Sequence, residues 1–186
     1  RQTRAKDSQQ GTVHRIKAGR NWRVVKGFAS VRKIVKERLI KKQITRNQMA
    51  DTMSLLGGTI DYSGFESVDL VIEAVFEDLD VKHQVLQETE QVIRPSAIYA
   101  SNTSTIPITR IAEASSEPDR VLGMHFFSPV QKMPLPEVIT AEMTHPSVTA
   151  SVVAYGKKLG KTVIVVRDGH VYFVNGMLTP YIDDTG

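Results

Sequence analysis

The chain has 186 residues, 41% of them hydrophobic, and its 24 Lys and Arg against 20 Asp and Glu give a formal net charge of +4. This composition is too apolar for a disordered chain, no apolar run is long enough to cross a membrane, and the lack of cysteine excludes disulfides and thiolate chemistry. Residues 1–50 carry 15 basic and two acidic side chains, whereas residues 51–186 carry nine and 18. A basic arm on an acidic domain is typical of proteins that bind nucleic acid or a membrane surface.

The first predicted elements alternate between helix and strand. A helix is predicted over residues 23–42, where apolar side chains form one stripe and basic side chains form the outer face. Gly57-Gly58 is expected to end that region, and residues 59–62 are predicted to form a short strand. Residues 69–75 (DLVIEAV) are almost continuously apolar, as in a parallel strand buried on both faces. An amphipathic helix over residues 79–93 follows.

The same alternation continues to the end of the chain. Strands are predicted over residues 97–100, 121–127, 137–140 and 162–166. Helices are predicted over residues 107–114, from 145 to 158, and again from 172 to 182. Short buried strands separated by helices predict an α/β protein with a mostly parallel sheet.

Ligands of such sheets bind beyond the carboxyl ends of the strands, which singles out Glu77, residues 102–104 and His125. A histidine there suits general-base chemistry because free imidazole titrates near neutral pH, and Glu137 follows after a turn that can return its carboxylate to the imidazole. On spacing alone, a packed structural histidine is favoured, and residues 102–104 serve equally well as a helix cap. Glu73 is either buried and paired or exposed at a sheet edge. No spacing is typical of a metal site, so no metal is predicted.

Four segments in order resemble the NAD-dependent 3-hydroxyacyl-CoA dehydrogenases. They are VIEAVFED (71–78), ASNTS (100–104), GMHFFSP (123–129) and KMPLPEVI (132–139). Their spacing fits the family without gaps, and the similarity runs from about Val24 to about Pro180. The FEDL and HFFSP variants most resemble the multifunctional enzymes of fatty-acid β-oxidation, such as the trifunctional protein α subunit, which carry an enoyl-CoA hydratase domain upstream.

The resemblance implies a partial Rossmann-type, doubly wound sheet over residues 1–167 that lacks its first βα unit, and the start of a helical C-terminal domain over residues 168–186. It implies that His125 takes the proton from the 3-hydroxyl group and that Glu137 orients the imidazole. Ser104 and Asn175 match positions that hydrogen-bond the substrate. The positions matching the NAD site are Asp7, Ala74, Glu77, Lys82 and Asn102.

The sequence departs from the family in two places. It contains no G-x-G-x-x-G, so the phosphate-binding turn and the first strand are expected to be missing and the strand over residues 69–75 is expected to have an unpaired edge. Val171 stands where the family has glycine, and Gly176 stands where arginine usually follows Asn175. We therefore expect a fragment, inactive alone, of an enzyme that oxidises (S)-3-hydroxyacyl-CoA to 3-oxoacyl-CoA with NAD⁺.

Three alternatives remain open. One is a monofunctional 3-hydroxyacyl-CoA dehydrogenase, and another is a degenerate assembly or binding subunit, which the altered residues 169–176 favour. The third is a nucleic-acid-binding protein that uses the basic segment, although aromatic interleaving and a recognition module are lacking. For the enzyme, the resemblance implies an oligomer that includes a thiolase subunit. It also implies an intracellular location, in mitochondria, peroxisomes or the bacterial cytoplasm.

Overall fold

The computed structural model describes residues 13–127 and 135–169. The chain forms two compact units, one that ends at Phe65 and one that begins at Glu66. Asp7, Asn175 and the helix predicted over residues 172–182 lie outside the described residues, and the domain boundary predicted at residue 168 stays a prediction. Among the helices of the described ranges, none is both long and apolar enough to cross a membrane.

The first unit consists of two parallel strands joined by two helices. Strand β1 (His14–Lys17) pairs with β2 (Leu56–Thr59), and α1 (Asn21–Ile40) and α2 (Arg46–Ser54) connect them. The helix predicted over residues 23–42 is therefore confirmed as α1, two residues earlier. Helix α2 begins with a capping box, in which Thr45 and Gln48 each accept a hydrogen bond from the other's backbone N–H, at 3.2 and 2.8 Å.

The prediction that Gly57-Gly58 ends a region and precedes a strand is wrong, because both glycines lie inside β2. A Cβ atom on Gly58 would lie 2.5 Å from Val24 Cγ1 and 2.6 Å from Phe28 Cε2, both on α1. The glycine thus lets α1 approach the strand closely and is not part of a turn.

The second unit is a five-stranded sheet with helices on both faces. Its strands lie in the order β3 (Leu70–Glu73), β4 (Ile98–Ser101), β5 (Val121–Phe126), β6 (Pro136–Thr140) and β7 (Ile164–Arg167). All neighbours are parallel except β5 and β6. The helices are α3 (Leu79–Glu90), α4 (Ile108–Ala112) and α5 (Pro146–Lys158). The predicted α/β fold is confirmed, and β3 lies at one edge of this sheet, as predicted for the strand over residues 69–75.

Two apolar clusters bury the two faces of this sheet. On one face, α3 and α4 contribute Leu86, Ile108 and Ile111 to a cluster that includes Tyr99 and Ile139. On the other face, α5 contributes two valines, Val148 and Val152, to a second apolar cluster. That second cluster consists of Ala100, Leu122, Met124, Val138, Val148 and Val152. Burial on both faces explains why the three central strands, β4, β5 and β6, are largely apolar with little alternation, whereas β3 and β7 at the edges keep exposed side chains.

Candidate active site

The carboxyl ends of three strands meet at one edge of the second unit's sheet, because β3, β4 and β5 are parallel. Polar side chains lie at each exit: Glu73 ends β3, Ser101 ends β4, and His125 is the penultimate residue of β5. Strand β6 runs antiparallel to β5 and so begins at this edge, where it brings in Glu137.

His125 and Glu137 form a buried pair. They lie directly opposite each other in the β5–β6 register, and His125 Nδ1 is 3.1 Å from Glu137 Oε2. Glu137 is fully buried and His125 is 8% exposed. The imidazole also contacts the ring of Phe127, with 4.6 Å between the ring centroids. The structure therefore brings the predicted dyad together.

The geometry of this pair determines which imidazole nitrogen can act as a base. An ionised carboxylate has only acceptors, so opposite such a carboxylate Nδ1 is the protonated nitrogen and its N–H donates a hydrogen bond to Glu137 Oε2. The neutral imidazole then has its lone pair on Nε2, where it can accept a proton. A buried carboxylate in this position can stabilise an imidazolium, as an acid does in other histidine-based sites.

Glu77 lies in the loop between β3 and α3 and is bound by the loop that follows β4. Its Oε1 accepts hydrogen bonds from Thr103 Oγ1 (2.6 Å), Ser104 N (2.8 Å), Thr105 N (2.9 Å) and Thr105 Oγ1 (3.1 Å). Partial burial raises the pKa of Glu77, but these hydrogen bonds and the charge of Lys82 outweigh it and lower the pKa to about 2. The carboxylate is therefore ionised at neutral pH.

Lys82 lies one turn into α3, which begins at the Asp78 cap. It is fully buried, and its Nζ contacts both carboxylate oxygens of Glu73, at 3.0 and 3.2 Å. The same Nζ lies 3.5 Å from Glu77 Oε2. Of the two interpretations left open for Glu73, the structure supports the buried and paired one. Lys82 thus joins two of the strand-exit carboxylates.

Asn102 connects the exits of β4 and β5. Its Oδ1 accepts a hydrogen bond from the backbone N–H of Phe126, at 2.9 Å, which leaves the amide N–H groups as donors. Ser104 lies on the same loop, where its hydroxyl is 3.4 Å from Glu77 Oε1. Ala74 follows β3 and is exposed. The predicted residues within the described ranges thus lie around one edge of the sheet.

Of two buried hydroxyl groups at this edge, sequence reasoning missed Ser101 and singled out Thr103 only within the range 102–104. Ser101 lies opposite Glu73 in the β3–β4 register and donates to Glu73 Oε2 at 2.7 Å. Thr103 binds Glu77 and also accepts a hydrogen bond from Ile106 N at 2.9 Å. The sequence signal for these hydroxyl groups was the run of polar residues that directly follows the apolar strand predicted over residues 97–100. In the described part of the chain, no group of three or more His, Asp or Glu side chains is arranged to hold a metal ion.

A mostly parallel sheet with helices on both faces and polar groups at its carboxyl edge is the architecture of a Rossmann-type nucleotide-binding domain. The sequence matches the NAD-binding domain of 3-hydroxyacyl-CoA dehydrogenase over residues 8–169. The chain therefore belongs to the 3-hydroxyacyl-CoA dehydrogenase family, as the resemblance predicted.

Individual relatives agree with this assignment. The chain is 47% identical over 152 residues to the fatty acid oxidation complex subunit alpha of Idiomarina loihiensis, a match that covers 80% of this chain and 22% of that protein. The chain thus spans about a fifth of the length of this curated relative, which its name makes a subunit of a complex.

Two solved structures are similar over most of the chain. FadB2 of M. tuberculosis is 32% identical, with a TM-score of 0.89, over 96% of this chain and 63% of that one. The (S)-3-hydroxybutyryl-CoA dehydrogenase PaaH1 of Ralstonia eutropha is 34% identical, with a TM-score of 0.88, over 91% of this chain and 60% of that one. These matches confirm the predicted Rossmann-type fold.

Proposed function

We propose that the protein containing this chain oxidises (S)-3-hydroxyacyl-CoA to 3-oxoacyl-CoA with NAD⁺ in fatty-acid β-oxidation. The observation that carries the proposal is the buried contact of 3.1 Å between His125 Nδ1 and Glu137 Oε2, in a chain that belongs to this dehydrogenase family. The names of the fatty acid oxidation complex relative and of the 3-hydroxybutyryl-CoA dehydrogenase structure support the substrate class.

The dyad supplies the base of this reaction. His125 Nε2 accepts the proton as the O–H bond of the 3-hydroxyl group breaks, and C3 loses a hydride as its bond to oxygen becomes a carbonyl. Bound NAD⁺ supplies the hydride acceptor. Glu137 is fully buried beside the imidazole, so its charge stabilises the imidazolium more strongly than an exposed carboxylate would.

The groups at the strand exits fit a nicotinamide cofactor. Asn102 offers amide donors and Glu77 is an ionised acceptor, while the fully buried Lys82 contacts Glu77 Oε2 at 3.5 Å and so helps to fix that acceptor. Such groups hydrogen-bond ribose hydroxyls and a carboxamide. We propose that these three residues, with Ala74 and Asp7, hold the cofactor, Lys82 through Glu77, and that Ser104 and Asn175 bind the substrate oxygens.

Partners and location are also proposals. Because the relative is named as a subunit of a complex, we propose an oligomer that includes a thiolase subunit. The absence of cysteine fits a reducing compartment and supports an intracellular location.

The test is NADH-dependent reduction of acetoacetyl-CoA by the full-length protein. The reaction is monitored as the loss of NADH absorbance. His125→Gln and Glu137→Gln are each expected to lower kcat by about 10²- to 10⁴-fold, the usual contribution of a general base. His83→Gln is the matched control, because His83 lies on α3 and contacts the carbonyl oxygen of Arg110, outside the dyad. Wild-type protein without turnover, or a fully active His125→Gln variant, would refute the proposal.

A further inference from the structure

One aromatic ring beside the dyad has no part in the proposed reaction. Phe127 directly follows β5, and its ring centroid lies 4.6 Å from that of the His125 imidazole, with an angle of 56° between the two ring planes. Phe127 is only partly buried and belongs to neither of the two apolar clusters of this sheet. Filling the core therefore does not explain its position.

The end of β5 directs its two phenylalanines to opposite faces of the sheet. Successive side chains of a strand alternate, so Phe127 continues the face of His125 and Phe126 lies on the other. Phe126 packs against the second apolar cluster, and its backbone N–H donates to Asn102 Oδ1 at 2.9 Å. These two contacts fix the backbone between the imidazole and the ring of Phe127, so the sheet itself holds that ring against His125.

The contact with Glu137 restrains only part of the orientation of the imidazole. It fixes one ring atom, Nδ1, at 3.1 Å from Oε2. Rotation about the bond from Cβ to the ring has broad minima in histidine, and a hydrogen bond stays favourable up to about 30° from linear. A tilt of that size moves Nε2, on the far side of the ring, by about 1 Å, and a misplacement of about 1 Å can cost about a hundredfold in rate.

The ring of Phe127 supplies a restraint from a second direction. A centroid distance of 4.6 Å lies at the short end of the range for packed aromatic pairs, so the two rings are in van der Waals contact. The imidazole cannot tilt toward Phe127 without a clash, and it loses this contact when it tilts away. Glu137 thus fixes one atom of the imidazole, and Phe127 fixes the plane of the ring.

We propose that Phe127 is a positioning residue for the dehydrogenase reaction, which acts through His125 by holding the imidazole so that Nε2 faces the 3-hydroxyl group. This inference rests on the proposed function, since it assumes that Nε2 accepts the substrate proton. It assigns a role to a residue that is neither an acid nor a base. The reaction then requires a flat ring at position 127, whereas an apolar side chain of another shape does not suffice.

The test is steady-state reduction of acetoacetyl-CoA by NADH with the full-length protein. Phe127→Leu keeps an apolar side chain but removes the flat ring, and it is expected to lower kcat about tenfold because the imidazole can tilt. KM for acetoacetyl-CoA, and Kd for NADH from titration calorimetry, are expected to stay within about twofold of the wild type, since the lost restraint acts on the chemical step. Phe127→Tyr keeps the ring and is expected to retain kcat within about twofold.

A second experiment asks whether Phe127 acts through the imidazole. Phe127→Leu added to His125→Gln is expected to leave the residual kcat unchanged, because the restraint has nothing to hold once the imidazole is gone. Phe65→Leu is the matched control, since Phe65 also lies in a ring contact, 5.5 Å from Tyr62, but in the first unit. It is expected to cost stability without a change in kcat. If Phe127→Leu does not fold, Phe127→Met takes its place with the same expected fall in kcat.

The outcomes separate the two proposals. Equal losses of kcat in Phe127→Leu and Phe127→Tyr, a rise in KM or Kd with kcat unchanged, or an additive effect in the His125→Gln background would each overturn the positioning role and leave the proposed function intact. A kcat of wild-type size in folded Phe127→Leu would do the same. A wild-type protein without turnover would refute the proposed function, and this inference with it.

Discussion

Gly123 is a position where a single methyl group is expected to disturb the dyad. It lies two residues before His125 in β5, opposite Ile139 in β6. A Cβ atom built on Gly123 would lie 2.8 Å from Ile108 Cδ1, 2.8 Å from Ile139 Cδ1 and 2.9 Å from Ile139 Cβ. Both isoleucines are fully buried, so neither side chain can move into solvent.

The size of the disturbance follows from these distances. The two Cδ1 atoms can move by rotation, but Ile139 Cβ is attached to the backbone of β6. Ordinary contact begins at 3.4 Å, so β6 must move from β5 by about 0.5 Å, and overpacking of this kind costs about 1–3 kcal/mol. Because β6 also carries Glu137, the Nδ1–Oε2 distance of 3.1 Å would lengthen to about 3.6 Å, beyond hydrogen-bonding range.

Two measurements on Gly123→Ala check this reasoning. The free energy of unfolding, from urea denaturation, is expected to fall by about 1–3 kcal/mol, and kcat is expected to fall by about tenfold or more because the imidazole loses its orientation. Gly169→Ala is the control, since no atom lies within 4 Å of the added methyl group. A Gly123→Ala variant with wild-type stability and activity would show that this contact does not set the spacing of β5 and β6.

Three further predictions concern stability, measured by urea denaturation. Gly27 lies inside α1 with open space around a built Cβ, so Gly27→Ala is expected to add about 0.5–1 kcal/mol; a loss would contradict this. Asp168 accepts hydrogen bonds from Ile108 N (2.9 Å) and Thr109 N (2.7 Å) at the start of α4, so Asp168→Ala is expected to cost about 1–2 kcal/mol and Asp168→Asn less; equal stability of Asp168→Ala and wild type would argue against the cap. The folded-state pKa of Glu77 is lowered from 4.5 to about 2, so its ionised form stabilises the fold above pH 4.5 and that contribution is lost as the pH falls toward 2. The stability difference between wild type and Glu77→Gln is therefore expected to close over that interval, and a difference independent of pH would exclude this linkage.

The central strands of the second unit were predictable because burial on both faces demands largely apolar runs, and such runs are visible in sequence. The first unit was harder because glycine has two uses. Gly57-Gly58 suggested a break, yet Gly58 lies in β2 under Val24 and Phe28 of α1. Only the packing of α1 against the strand distinguishes a glycine that turns the chain from one that admits a close neighbour.

For the candidate site too, residue spacing alone did not decide between two interpretations. Residue spacing offered Glu137 as a partner but favoured a packed structural histidine at position 125, and the family resemblance shifted the prediction to a catalytic pair. The β5–β6 register explains why spacing was insufficient. His125 faces Glu137 because Gly123 faces Ile139, and a shift of one residue would move Glu137 to the other face of the sheet. The register that places the small residue Gly123 opposite Ile139 is thus the same register that brings the Glu137 carboxylate to the imidazole.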